Sequence, residues 1–164
     1  MATTRPSAAT PDREIERKYL LRALPDRAVG APSIEIDQGY IPGERINERI
    51  RRSRMPSGEL KYFRTMKSGS GLERTEIEEE TTHEFFVAVW PLTRGARVRK
   101  RRYLIPDRDV TWEIDEFLDR EGMWLAEVEL EHIRHEITIP EWLAPVLVRE
   151  VTTEKGYSNR SLAK

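Results

Sequence analysis

In Arg13-Glu14-Ile15-Glu16-Arg17-Lys18-Tyr19-Leu20, quoted as REIERKYL, Glu14, Glu16 and Lys18 share one parity, while Ile15 and Tyr19 hold the other and Leu21 continues it. A period of two marks a β-strand whose two faces differ chemically. One face here carries Ile15, Tyr19 and Leu21, with Arg13 and Arg17 among them; the other carries two acids and a base. Whether that charged face points to solvent or into an enclosed site depends on what the later strands repeat.

The same alternation returns along most of the chain. Ser33 to Tyr40 reads as a second strand closed by Pro42-Gly43, and Glu48 to Arg51 and Leu60 to Lys67 flank the turn Pro56-Ser57-Gly58 as a hairpin. Beyond Ser68-Gly69-Ser70-Gly71, Arg74 to Glu80 alternates again. The period then changes. Thr81-Thr82-His83-Glu84 resembles a helix N-cap, and Phe85, Phe86, Val89 and Trp90 recur at helical spacing before Pro91. Strand patterns resume at Arg97 to Leu104, Val110 to Phe117, Trp124 to Ile133 and His135 to Ile139, and Trp142, Leu143, Val146 and Leu147 suggest a second helix limited by Pro145. About eight strands with short turns and two or three small helices predict an α+β fold, mainly an antiparallel β-barrel with the helices packed outside. Trp90, Trp112, Trp124 and Trp142 are expected to anchor the outer core beneath those helices.

Charged pairs two residues apart appear on nearly every strand. The acids are Glu14 and Glu16, Glu76 and Glu78, Glu113 and Asp115, Glu127 and Glu129; the bases are Lys18, Arg49 and Arg51, Arg74, and Lys100 and Arg102, with Lys67 ending a strand of the same kind. An antiparallel sheet with one wet face also carries charges, as cross-strand ion pairs worth a few tenths of a kcal/mol each. Such a face would more naturally mix signs, whereas most of these pairs are like-signed, E-x-E or R-x-R, with the two charges roughly 6 to 7 Å apart. Sorting by sign points to binding. Carboxylate pairs with no cysteine and no suitably spaced histidine suit Mg²⁺ or Mn²⁺, and sets of Arg and Lys suit several phosphate groups at once. A closed barrel would turn this parity inward.

These residues resemble those of the CYTH superfamily, the triphosphate tunnel metalloenzymes. Glu14-Ile15-Glu16-Arg17-Lys18 resembles its E-x-E-x-K signature. The likeness continues through Gln38-Gly39-Tyr40, Arg49 and Arg51, Thr65-Met66-Lys67, Arg74 to Glu78, Lys100 to Arg102, Glu113 to Asp115, Ala126 to Glu129, and Thr153 to Asn159. The resemblance implies an eight-stranded antiparallel barrel enclosing a charged tunnel, with a C-terminal helix plugging it. It implies that Glu14 and Glu16 hold a divalent metal, Mg²⁺ or Mn²⁺, opposite Glu127 and Glu129, with Glu76, Glu78, Glu113 and Asp115 supplementing them. Arg49, Arg51, Lys67, Arg74, Lys100, Arg102 and Lys155 would contact phosphates. Lys18 and Tyr40 match a proposed base for the attacking water; a water activated by a second metal is the alternative. The implied activity is hydrolysis of inorganic tripolyphosphate. The family's other activities stay open at this point: cyclisation of ATP, as in class IV adenylyl cyclases, or hydrolysis of thiamine or nucleoside triphosphates. So does a non-catalytic polyphosphate-binding module. The turn Arg120-Glu121-Gly122 departs from the family's loops in its charge.

Composition bounds the remaining classes. The 164 residues suit a single domain, expected over residues 13–164 behind a disordered tail at residues 1–12. Charged residues make up 35% of the chain, yet the net charge is −1, which argues against a wholly basic nucleic-acid surface. The basic run Arg97 to Arg102 is split by parity between tunnel and exterior, so no nucleic acid is expected as a partner; the expected partner is a small triphosphate, with the chain a monomer or homodimer. Absence of cysteine excludes disulfides and thiolate sites. The N-terminal segment lacks a signal-peptide apolar core, and no run approaches about 18 apolar residues, so a cytoplasmic protein without membrane contact is expected.

Overall fold

The computed structural model describes residues 15–44, 46–68, 75–132 and 134–164; the tail, Glu14 and Arg74 lie outside these residues. Nine strands follow one another along the chain: β1 (Ile15–Leu21), β2 (Ser33–Ile41), β3 (Asn47–Arg54), β4 (Leu60–Ser68), β5 (Thr75–Thr81), β6 (Arg97–Asp107), β7 (Val110–Phe117), β8 (Trp124–Leu130) and β9 (Leu147–Glu150). They form one antiparallel sheet in the order β5-β4-β3-β2-β6-β7-β8-β1-β9. The expected mainly antiparallel architecture is present, with a short ninth strand added beside β1. Among the described residues no ladder joins β5 to β9, so backbone pairing leaves the curled sheet with two edges.

Parity divides the sheet as the sequence pattern requires. Outward-facing Tyr19, Leu21, Tyr103, Ile105, Trp112, Ile114, Ala126 and Val128 form one buried cluster, covered by Leu143, Trp142 and Ile139. A smaller outer cluster joins Ile50 and Tyr62 to Phe86 of helix α1 (His83–Val89), where Trp90 stacks on Phe86 at 4.9 Å between centroids. The helix begins where expected, with the Thr82 side chain accepting from the Phe85 N–H. Trp90 opens a 3-10 turn (Trp90–Thr93) that seats on β2 because Gly39 has no side chain; a Cβ there would stand 2.5 Å from the Thr93 Cβ.

Curling brings distant strands together across the charged parity. Lys67 of β4 is close enough to influence Glu16 of β1, and Lys18 of β1 and Glu127 of β8 influence Tyr40 of β2. One end of this interior is filled by Val98, Phe117, Leu125, Val151 and Leu162, packed with Leu20 and Tyr157. Leu162 comes from a last short helix, α2 (Asn159–Leu162). Arg120 holds it there, Nε and Nη2 both donating to the Leu162 carbonyl at 3.0 and 2.7 Å. That contact gives the charged Arg120 turn its purpose.

Two expectations are corrected. No strand forms at His135 to Ile139: both edges of the preceding β8 are taken by β7 and β1, and Ile137 and Ile139 pack on the outer core instead. In place of a second helix near Trp142 there is a 3-10 turn (Ala144–Val146) carrying Pro145, followed by β9. Among the described residues no helix is long and apolar enough to cross a membrane.

Candidate active site

Strand register sets the acidic wall. β1 pairs with β8 so that Glu16 lies beside Glu129 and Lys18 beside Glu127, and β8 pairs with β7 so that Glu127 lies beside Glu113. All point into the curl. Lys18 Nζ stands 3.0 Å from Glu127 Oε1, 3.9 Å from Glu16 Oε1, and donates to the Tyr157 carbonyl at 3.4 Å. Glu16, Glu113, Glu127 and Glu129, with Asp109 and Glu131 at the rim, line a cavity of about 300 Å³. Burial and the neighbouring Glu127 raise the Glu16 pKa, and burial raises that of Glu113. Burial would depress the Lys18 ammonium, but Glu127 and Glu16 more than offset it and hold its pKa above the usual lysine value.

Beside this wall lies a largely buried ion cluster. Asp115 is 0% exposed and accepts from Lys100 Nζ at 2.5 Å and from Arg102 Nε and Nη2 at 2.7 Å each. Arg102 also pairs with Glu113 and lies 3.7 Å from Glu127 Oε2. Burial alone would raise Asp115 and Glu127; Arg102 and Lys100 hold Asp115 well below the usual carboxylate range, and Lys18 and Arg102 lower Glu127. Lys100, 1% exposed, is lowered chiefly by burial, and Asn159 Oδ1 accepts from it at 3.2 Å.

The opposite wall is cationic. Arg49 and Arg51 of β3 project from neighbouring inward positions. The Glu78 carboxylate spans them, accepting from Arg49 Nη2 and Arg51 Nη2 at 3.0 Å each. Buried Thr65 accepts from Arg49 Nη2 at 3.0 Å and donates to Glu78 Oε2 at 2.8 Å. Lys67 Nζ lies 2.6 Å from Glu76 Oε2. The Nε–H groups of Arg49 and Arg51 are buried without an acceptor. Burial and Arg49 lower the Arg51 guanidinium, the signature of crowded positive charge. Tyr40 stands beside this wall, its hydroxyl accepting from Gln38 Nε2 at 3.1 Å, and burial raises its pKa.

The residues expected in the site therefore separate into groups. Glu16, Glu113, Glu127 and Glu129 converge on the acidic cavity. Asp115, expected as a further metal ligand, has both oxygens committed to Lys100 and Arg102, because its strand position puts it under two cations. Glu76 and Glu78 belong to the cationic wall rather than the acidic one, because β5 pairs with β4. Lys155 is exposed in a 3-10 turn (Lys155–Tyr157); the C-terminal segment reaches the lumen through the Tyr157 carbonyl and Asn159 instead. Lys18 and Tyr40 share the interior, but among the described residues no hydrogen bond joins them, and both hold their protons at neutral pH. Gln38, 1% exposed, and Thr65, 0% exposed, join the site by hydrogen bonds to Tyr40, Arg49 and Glu78; uncharged, they had no assigned role in the sequence, and their parity with Tyr40 and Lys67 was the available signal.

No family model matches the chain. An inorganic triphosphatase of Nitrosomonas europaea is 36% identical over 157 residues, covering 92% of this chain and 96% of the relative. The chain belongs to the CYTH superfamily. A second inorganic triphosphatase, from Acetivibrio thermocellus, is 30% identical over 155 residues and covers 93% of this chain and 94% of the relative. A crystal structure of an inorganic triphosphatase matches with a TM-score of 0.62 at 31% identity, covering 92% of this chain and 93% of that one. The curled sheet is thus a CYTH tunnel, its lumen the charged face first seen in REIERKYL.

A divalent metal fits the acidic wall of this CYTH tunnel by donor chemistry. The donors are hard carboxylate oxygens. Glu127 Oε1 is buried without a directed hydrogen bond, although Lys18 Nζ lies 3.0 Å away as an ion pair. Among the described residues no three ligands stand in coordinating arrangement. Glu113 and Glu127 must turn from Arg102 and Lys18 to take part.

Proposed function

We propose that this protein hydrolyses inorganic tripolyphosphate to pyrophosphate and orthophosphate, water attacking a terminal phosphorus. The observation that carries the reading is the opposition of two walls across one lumen: a carboxylate cavity on β1, β7 and β8, and the Arg49–Arg51 pair with buried, unpaired Nε–H groups on β3. Each such donor requires an acceptor, and the oxygens of a phosphate chain supply several at once. The relatives named inorganic triphosphatase support the same reaction.

In this reading Glu16, Glu127 and Glu129, with Glu113 and with Glu14 beyond the described residues, hold Mg²⁺ or Mn²⁺. Bound there, the metal would neutralise phosphate oxygens and lower the pKa of an attacking water. Arg49, Arg51 and Lys67 bind and orient the phosphates from the opposite wall, and Arg74, which lies outside the described residues, is assigned the same role. Arg102, fixed by Asp115 and backed by Lys100, supplies positive charge near the acidic wall. Lys18 acts as an ammonium beside the reacting phosphate, and Tyr40 as a neutral hydroxyl donor. Such catalysis is mostly positioning and charge neutralisation. We place the protein in the cytoplasm, where triphosphates and free Mg²⁺ are available.

The test offers purified protein tripolyphosphate, ATP and thiamine triphosphate in parallel, with and without Mg²⁺ or Mn²⁺, and measures orthophosphate, pyrophosphate and cyclic AMP. Metal-dependent release of pyrophosphate and orthophosphate from tripolyphosphate, fastest of the three, is expected. Cyclic AMP as the main product, or binding without turnover on every substrate, would overturn the reading.

A further inference from the structure

Glu78 holds an unusual place for an acid in a phosphate-binding wall. Its two oxygens each take an Nη2–H from a different guanidinium, Arg49 and Arg51, at 3.0 Å, in the manner of a phosphate bridging two arginines. The arrangement is built. Thr65, 0% exposed, donates to Oε2 at 2.8 Å and fixes the carboxylate's rotation. Neighbouring Glu76 reinforces it, 2.6 Å from Lys67 and 3.9 Å from Arg49. The Glu78 side chain keeps 35% of its surface exposed, whereas Arg49 and Arg51 keep 14% and 17%, so the acid lies between its arginines and open space. β5, which carries both acids, pairs only with β4 among the described residues and lies at the sheet's edge.

We propose that Glu78 is a specificity-determining residue, an internal carboxylate competitor that sets which anions gain the Arg49–Arg51 pair. An arriving phosphate group has to displace the carboxylate or share the guanidiniums with it, against its negative charge. A tripolyphosphate meets that cost with contacts along its whole length and on both walls. Orthophosphate and pyrophosphate have fewer contacts and do not, so common cellular anions and the products themselves are kept weakly bound. Glu78 is thus a positioning group on the substrate side of the site, not a metal ligand. The proposal rests on Arg49 and Arg51 being the phosphate-binding wall.

The experiment measures pyrophosphate binding by calorimetry in EDTA at low salt, for wild type, Glu78→Gln, Glu78→Asp and Arg51→Gln. Glu78→Gln keeps the shape and one acceptor oxygen but removes the charge. Its affinity for pyrophosphate is expected to rise on the order of tenfold, the size of one partly screened charge contact, and pyrophosphate is expected to inhibit its turnover correspondingly more strongly. Glu78→Asp keeps the charge and is expected to bind within about threefold of wild type. Unchanged or weaker binding by Glu78→Gln, as a purely structural brace would give, overturns the proposal. So does a lower metal affinity with no change in metal-free pyrophosphate binding, the mark of a metal ligand. If Arg51→Gln binds pyrophosphate as well as wild type, the phosphate-wall reading itself has failed, and the proposal fails with it by a distinguishable route.

Discussion

Replacing Asp115 by Asn isolates the buried ion cluster beside the acidic wall. Asp115 is wholly inaccessible and takes three charge-assisted hydrogen bonds, one from Lys100 at 2.5 Å and two from Arg102 at 2.7 Å. Asn preserves the outline, but removes the negative charge and turns an N–H₂ toward a cation. Two buried cations then lose their common partner. Removing one member of a buried ion pair costs about 3–5 kcal/mol, because the remaining charge stays desolvated. For a chain of this size each kcal/mol lowers Tm by about 2–4 °C, so the expected loss is about 6–20 °C by circular dichroism or scanning fluorimetry. Lys100→Met in the Asp115→Asn background removes one stranded cation and should recover part of it; the double-mutant cycle measures the coupling. Mg²⁺ binding should change little after correction for folded fraction. A Tm within about 2 °C of wild type, joined to a large loss of metal affinity, would refute the reasoning and return Asp115 to the metal-ligand role.

Other consequences can be measured independently. Gly39→Ala places a Cβ 2.5 Å from the Thr93 Cβ; overpacking of this kind costs about 1–3 kcal/mol, so Tm should fall while activity per folded molecule holds, and an unchanged Tm would show that the turn is not seated as described. The pH dependence of the metal-free protein has two limbs. Glu16 and Glu113 have folded pKa values raised above the unfolded value of about 4.3, so stability increases as pH falls through those raised values. Asp115 and Glu127 are depressed, and their contribution, present above the unfolded values, is lost as pH falls through the folded ones. Tm should therefore rise as pH falls from neutrality toward the unfolded carboxylate value of about 4.3 and fall below it, with saturating Mg²⁺ flattening the first limb. A steady fall of Tm over that first limb without metal would contradict the crowding of Glu16 and Glu113.

How much of this was legible in the sequence follows from where the information resides. Parity is local, so REIERKYL already separated Glu16 and Lys18 from Tyr19 and Leu21, and every strand that alternates acids or bases with apolar residues could be assigned an inside and an outside. Register is not local. Only β-pairing reveals that Glu127 falls beside Lys18 and Glu113, while Glu78 falls beside Thr65 and within reach of Arg49. Carboxylates that looked equivalent as E-x-E pairs therefore divide between a carboxylate-lined cavity, a largely buried ion cluster and a set of counter-ions. His135 to Ile139 alternates as a strand should, but no free edge lies beside β8 to receive it. Uncharged Gln38 and Thr65 carried no signal in a search for charges, and Asn159 is brought to Lys100 by a C-terminal turn that no periodicity announces.

The most direct test is the initial rate of phosphate release from tripolyphosphate across a Mg²⁺ titration, for wild type and Glu16→Gln side by side. Glu16 lines the acidic cavity beside Glu129 and near Lys18, and Gln retains its size while removing the negative charge that makes it a hard anionic ligand. The prediction is a rate that requires metal in the wild type and falls by about two orders of magnitude or more in Glu16→Gln, an effect on the scale of losing a principal transition-state charge contact, with the Tm of the metal-free variant no lower than that of the wild type. A wild-type rate in Glu16→Gln at every Mg²⁺ concentration, or hydrolysis that proceeds equally in EDTA, would contradict it.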